Sequence, residues 1–310
     1  MDTKTIINIL ADDIKRKFKL FEPSVIIQYY KNDTKNFPES IREFFLRNIH
    51  CSIVDTNIKM AMKLVFNKMP FDKNYVLLNY QKEYLNIKFL FYPSNSNFKK
   101  LIILFSGFSN HHTYNRYSWF FDDTERWSSE YCYLFLNDPS NHWYVGTPDN
   151  PTIAKYMHII NTIISNNNIE RKNVVTIGAS MGGYGALYYG LSLNLGLVIS
   201  INSLLVRCAS SCHDNSIWSK KIFECAYNFI DIDTLFFKYS KNYNHKPYIY
   251  IESSDYPADK YKLDTIMQLL INNRYEFTLR KFNVPVHSTD HPTLTQINDI
   301  LNFYFGLIKK

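Results

Sequence analysis

The chain has 310 residues, of which 46% are hydrophobic, 16% aromatic and 20% charged. That is enough apolar side chain for a sizeable core and too little charge for wholesale disorder. Its 35 Lys and Arg against 28 Asp and Glu leave a formal charge of +7. The lysines are spread among asparagines rather than clustered, which argues against a nucleic-acid reader and suits a mildly acidic glycan or a membrane surface.

No run reaches the roughly 18 apolar residues that span a bilayer. Met1–Leu20 carries Asp2, Asp12 and Asp13 without a small-residue cleavage pattern, so no signal peptide is read there. Five irregularly spaced cysteines (Cys51, Cys132, Cys208, Cys212 and Cys225) form no disulfide framework. The expectation is a reduced, cytoplasmic protein. Cys208, Cys212 and His213 have the look of half a metal site, but no second Cys/His pair completes it, so no metal is expected.

Residues 1–70 read as an N-terminal helical extension, with helices over Ile6–Phe18, Ile41–Ile49 and Asn57–Phe66. Pro38 suits an early position of the second. No chemistry is evident there, and the segment is assigned to packing or to recruiting a partner. From residue 71 to 310 the pattern is β then α/β. Tyr75–Tyr80 and Tyr84–Tyr92 read as two strands near a sheet edge. Lys100–Phe105 is a wholly apolar strand that ends at Ser106-Gly107-Phe108, followed by a loop rich in aromatics and histidines (His111, His112, Tyr114, Tyr117, Trp119, Trp127). Tyr131–Leu136 is a further strand and empties into Asn137-Asp138-Pro139. A helix over Thr152–Asn166 follows.

Val174–Ala179 then runs into Ser180-Met181-Gly182-Gly183-Tyr184-Gly185-Ala186, a G-x-S-x-G sequence between a buried-type strand and a helix. A serine at such a turn is held in a strained conformation with its hydroxyl above the carboxyl end of the sheet. Gly178 and Gly182 crowd the turn and must lack a Cβ. The helix N-terminus aims free N–H groups, that of Met181 among them, at an oxyanion. Ser180 is therefore the expected nucleophile. Further on come a strand at Leu197–Ile201, a helical insertion at about 203–245, a strand at Tyr248–Glu252, a helix at Ala258–Ile271, a last strand at Glu276–Phe282 and a closing helix at Leu294–Leu307. Strands alternating with helices imply a mostly parallel sheet with helices on both faces.

This order of elements resembles the α/β-hydrolase fold over roughly residues 75–310, with the insertion where that fold commonly carries a lid. The resemblance implies a Ser…Asp…His order with the acid after a later strand and the histidine after the last one. Asp255, just past Tyr248–Glu252, fits the acid, with Asp259 and Glu252 as alternates. His287 fits the base, with His291 as its rival. Phe108, in the loop after the third strand, would add its N–H to that of Met181 in the oxyanion hole.

The sequence F-S-G-F, the aromatic loop, the Asn137-Asp138-Pro139 exit and I-G-A-S-M-G-G-Y-G-A also resemble bacterial capsule-biosynthesis proteins. These comprise the XcbB/CpsF type, the capsular polysaccharide O-acetyltransferases and the accessory-secretion glycan acetyltransferases. That resemblance implies transfer of an acetyl group from acetyl-CoA through Ser180 to a sugar hydroxyl, without a tightly bound cofactor. It also implies association with a capsule assembly complex at the inner face of the membrane. Trp143 and Tyr144 would line the acceptor site. A carboxylesterase or deacetylase using water, and a non-catalytic glycan- or partner-binding protein, remain as alternatives.

Overall fold

A computed structural model of the chain describes residues 2–18, 23–48, 52–65, 77, 80–92, 99–109, 114, 131–207, 216–240, 246–287 and 294–308. These fall into two compact units, residues 2–81 and residues 82–308.

The first unit is helical: α1 Thr3–Lys17, α2 Pro23–Asn32, α3 Glu39–Asn48 and α4 Ser52–Val65. Asp2 caps α1 by accepting the Thr5 N–H at 2.9 Å, and Lys15, Arg16 and Lys17 sit in its last turn, where the helix dipole favours cations. Ile6, Ile7, Leu10 and Ile14 recur at helical spacing and bury against Tyr30, Phe37 and Phe45. Asp13 is buried among them, held by the Tyr30 hydroxyl and by Lys17 Nζ, each at 2.7 Å. α2 has no counterpart in the sequence reading, although Pro23 stands at its start as an N-terminal proline should.

The strands, all in the second unit but for Gln81 at the start of the first strand, are β1 Gln81–Tyr84, β2 Ile87–Tyr92, β3 Lys100–Phe105, β4 Tyr131–Leu136, β7 Val174–Ala179, β8 Leu197–Ile201, β9 Tyr248–Ser254 and β10 Phe277–Phe282, with a small ribbon of β5 Gly146–Thr147 and β6 Asn150–Pro151. Of the expected strand at Tyr75–Tyr80 only Leu77 and Tyr80 are described, and both are helical, with Tyr80 packed on the helical core. The strand read at Tyr84–Tyr92 is instead the far half of a hairpin. Leu85 and Asn86 both take positive φ (46° and 67°), which makes the two-residue turn that matches the twist of paired strands.

The eight-stranded sheet has the order β1-β2-β4-β3-β7-β8-β9-β10, with β2 antiparallel to β4 and every pair from β4 to β10 parallel. Helices α5 Ile153–Asn166, α6 Met181–Ser192, α8 Ile232–Ser240 and α10 Leu263–Asn272 share one core with Leu101, Ile103 and Phe105 of β3. The alternate residues Ile102 and Leu104 are equally buried, so both faces are covered. On the second face α11 Leu294–Leu307 brings Phe305 to Tyr131 at 5.8 Å between rings. Remaining elements are α7 Ser216–Glu224, in the insertion with α8, and the single-turn α9 Pro257–Lys260. The expected helix at Ala258–Ile271 is broken by Lys262, which is left-handed (φ 58°), into α9 and α10. No described helix is long and apolar enough to cross a membrane.

Candidate active site

The carboxyl ends of β3, β7, β8, β9 and β10 lie at one edge of the sheet, because the parallel registers align Phe105 with Gly178, Ala179 with Ile201, Ile201 with Glu252 and Ser254 with Phe282. Ser180 turns the chain from β7 into α6 with φ 55° and ψ −126°, a conformation that L-residues rarely occupy. Its N–H donates to the Ile201 carbonyl at 2.8 Å, which ties the bend to the neighbouring strand. A Cβ on Gly178 would lie 2.0 Å from the Gly182 carbonyl oxygen, and one on Gly182 2.2 Å from that of Phe105, so the close approach of helix and strands admits only glycine at both. The first N–H groups of α6, including that of Met181, have no acceptor within the helix and are directed at the bend. The Ser180 hydroxyl is buried and has no hydrogen-bond partner among the described residues.

β10 leads into the loop that carries His287. Its Nδ1–H donates to Asp259, 2.8 Å from Oδ1 and 3.0 Å from Oδ2. Asp259 is 2% exposed on α9 and also accepts the Ser254 hydroxyl at 2.7 Å. A carboxylate fixed on Nδ1 sets the tautomer that keeps the Nε2 lone pair for a proton. Asp255, the first choice for the acid, does not approach this histidine. Its side chain is half exposed and lies 3.6 Å from Lys260 Nζ, while its N–H donates to the Val284 carbonyl. The physical reason is local: β9 runs two residues beyond Glu252, and Pro257 then starts α9, which turns position 259 inward and leaves 255 at the rim. Glu252 is fully buried within β9, accepts the Tyr250 hydroxyl at 3.0 Å and is likewise not paired with His287. His291 lies outside the described residues.

The loop after β3 is pinned from the β4 exit. Asp138 is buried and accepts the N–H groups of Ser140, His142 and Tyr144 at 3.2, 2.8 and 2.8 Å. That carboxylate folds 138–144 into a knot in which Asn141, Trp143 and Tyr144 all have positive φ (56°, 52° and 64°). Asn141 then clamps Ser109 by both its N–H and its carbonyl, at 3.0 and 2.9 Å, and the Tyr144 hydroxyl donates to the Ser106 carbonyl at 2.7 Å. Phe108 is held between these anchors. Tyr144 braces the β3 exit rather than lining the site: it packs against Phe105 and Tyr156, and its hydroxyl is spent on the Ser106 and Leu136 carbonyls. Trp143 is fully buried, beside Phe108 and Trp218.

The insertion closes over this end of the sheet. Tyr184 of α6 stacks on Phe229 at 4.3 Å and exchanges hydrogen bonds with the backbone of Ile230. Trp218 of α7 stands edge-on to His287 (4.9 Å, 88°) and 5.9 Å from Phe108. Glu224, at the end of α7, meets His142 Nε2 and Lys221 Nζ, each at 2.8 Å. The hydrogen bond from His142, then that from Lys221, holds the Glu224 carboxyl down at about 2. Trp218 and the Asp138 knot were not singled out for the site from sequence. The only signals were an aspartate–proline exit and one tryptophan in the insertion. His111, His112, Tyr117, Trp119, Trp127, Cys51, Cys208, Cys212 and His213 lie outside the described residues. Among those described, no three His, Cys, Asp or Glu side chains cluster as metal ligands.

No family model matches the sequence, nor does any curated protein. Solved structures do match. A chain of the Glycosylation Associate Protein (Gap123) complex from Streptococcus agalactiae is 15% identical with a TM-score of 0.55, over 72% of this chain and 46% of that one. This chain thus spans less than half the length of that relative. The capsule O-acetyltransferase of Neisseria meningitidis serogroup A is 17% identical with a TM-score of 0.52, over 74% of this chain and 94% of that one. The fluorophosphonate-binding serine hydrolase FphF of Staphylococcus aureus is 16% identical with a TM-score of 0.51, over 74% and 96%. The chain has the α/β-hydrolase fold.

Proposed function

We propose that this protein is a serine enzyme that moves an acyl group through an ester on Ser180. The favoured reaction is O-acetylation of a bacterial capsular or surface polysaccharide with acetyl-CoA as donor. The observation that carries the reading is the His287–Asp259 pair at the same edge of the sheet as a serine held in a left-handed bend. Ser180 Oγ attacks the thioester carbonyl while His287 Nε2 takes its proton, and Asp259 steadies the resulting imidazolium. The negative charge on the carbonyl oxygen falls to the N–H groups of Met181 and Phe108, where one such donor is worth about 3 kcal/mol. The CoA thiolate leaves with the proton from His287. A sugar hydroxyl, deprotonated by the same imidazole, then attacks the acyl-enzyme and frees Ser180.

Transfer requires that water be kept from the acyl-enzyme, and Trp218, edge-on to His287 and backed by Phe108, supports this. The likeness to a capsule O-acetyltransferase supports the glycan acceptor. The likeness to a serine hydrolase over nearly its whole length favours a second reading, ester hydrolysis by water. An acetyltransferase of this kind would meet its acceptor at a capsule assembly complex on the inner face of the membrane.

Purified protein incubated with acetyl-CoA, with and without capsular polysaccharide, separates the two. CoA release that depends on the polysaccharide means transfer, and equal release in buffer means hydrolysis. A fluorophosphonate should label Ser180 under either reading, and Ser180→Ala should abolish both label and turnover. Folded protein that neither labels nor turns over is the non-catalytic alternative.

A further inference from the structure

We infer that Trp143 is a substrate-recognition residue whose indole N–H donates to an oxygen of the bound acyl donor, beside the rings of Phe108 and Trp218. The inference rests on the acyl-transfer reading and adds the group that would hold the acyl donor in place.

Three residues of the knot after β4 take left-handed backbone conformations, and two of them are bulky aromatics for which that region is disfavoured. Strain of this kind persists only where the surroundings impose it, and here Asp138 does so through the N–H groups of His142 and Tyr144. Two of the three have evident structural uses: Asn141 clamps Ser109, and Tyr144 anchors the Ser106 carbonyl. The Trp143 ring packs in the core, but its polar atom has no such use. Its Nε1 is fully buried and has no hydrogen-bond partner among the described residues. An indole N–H is a donor only, and buried ones ordinarily find an acceptor.

The ring's location supplies the reason. Trp143 lies 6.2 Å from Phe108 and 6.1 Å from Trp218, the two rings that border His287 and the proposed oxyanion loop. Trp143 Nε1 and Ser180 Oγ each lack a hydrogen-bond partner among the described residues, and a bound ester or thioester would engage the two together. Three large aromatics give an acyl group an apolar environment, and the near-complete burial of Trp143 and Trp218 restricts it to a short chain. The ligand class is therefore a short-chain acyl ester or thioester.

The probe is p-nitrophenyl acetate, compared with the octanoate, on the protein and on Trp143→Phe, which keeps the ring face and removes the N–H. Loss of one buried hydrogen bond to substrate predicts a fall in kcat/KM for the acetate of about tenfold to a hundredfold, with fluorophosphonate labelling of Ser180 retained. Turnover within about twofold of the parent, well under the effect of one such hydrogen bond, overturns the inference. A parent that turns over acetate and octanoate equally well overturns the short-chain assignment. Should Trp143→Phe fail to fold, the 15N-tryptophan spectrum decides. The chain has four tryptophans, and Trp143 is assigned by elimination with the other three replaced by Phe. Its indole proton should shift when Ser180 carries a short phosphonate, and an unmoved signal overturns the proposal. If the parent neither labels nor turns over, the acyl-transfer reading itself has failed.

Discussion

Asp255 and Asp259 stand on either side of Pro257, and the carboxylate that reaches His287 is the second, already satisfied on one oxygen by Ser254. Asp259→Asn would present an amide to Nδ1 and release the tautomer, so kcat should fall by about three to four orders of magnitude while the fold persists. Asp255→Asn removes only a half-exposed ion pair with Lys260 and should leave kcat within about twofold, since such pairs contribute little. Steady-state turnover of the two variants checks the assignment, and the reverse ranking would return the acid to Asp255. The bend at Ser180 was legible in the sequence because its strand, two glycines and helix all impose one geometry. The carboxylate that pairs with His287 was not, because its position depends on where β9 stops, and the strand runs on through two serines that carry no clear signal. Tyr144 shows a further gap: its burial follows from a carboxylate six residues earlier, a relation that no periodicity expresses.

At the scale of elements, α7 is fastened to the β4 exit through Glu224, His142 and Lys221. The Glu224 carboxyl is depressed from 4.5 to about 2. A depressed carboxylate stabilises the folded form above its unfolded value, and that contribution is lost as pH falls from 4.5 toward 2. Glu224 is partly exposed, so the effect is modest and local. Protection of the amides across 216–224, taken relative to their intrinsic exchange rate at each pH, should fall over that window in the parent and change far less in Glu224→Gln; identical profiles would deny the tether. The elbow makes a second case. Gly178→Ala drives a Cβ into the Gly182 carbonyl and should cost about 3 kcal/mol together with the fluorophosphonate label. Gly306→Ala in α11 meets no atom within 4 Å and should stabilise by about 0.5 kcal/mol, as alanine does in a helix. Thermal melts give both signs. The parallel strands and their helices were readable from buried β-branched runs alternating with amphipathic segments. The hairpin was misread because Tyr84–Tyr92 hides its turn at Leu85-Asn86, neither of them glycine.

For the whole molecule, the division into a helical unit and a sheet unit has thermodynamic content, because each has its own hydrophobic core. Units with separate cores unfold as separate cooperative steps unless something couples them. The Tyr30 hydroxyl, which burial and the neighbouring Asp13 carboxylate keep protonated well above the ordinary tyrosine range, joins two helices of the first unit. Tyr30→Phe deletes that hydrogen bond but leaves Asp13 paired with Lys17 and Arg16, so the loss should be about 1 kcal/mol rather than that of an abandoned charge. Calorimetry should show two transitions, of which one moves in Tyr30→Phe, while fluorophosphonate labelling of Ser180 proceeds at the parental rate. If both transitions move together and labelling slows, the helical unit is coupled to the chemistry of the sheet unit, and a role for residues 1–81 in the reaction follows.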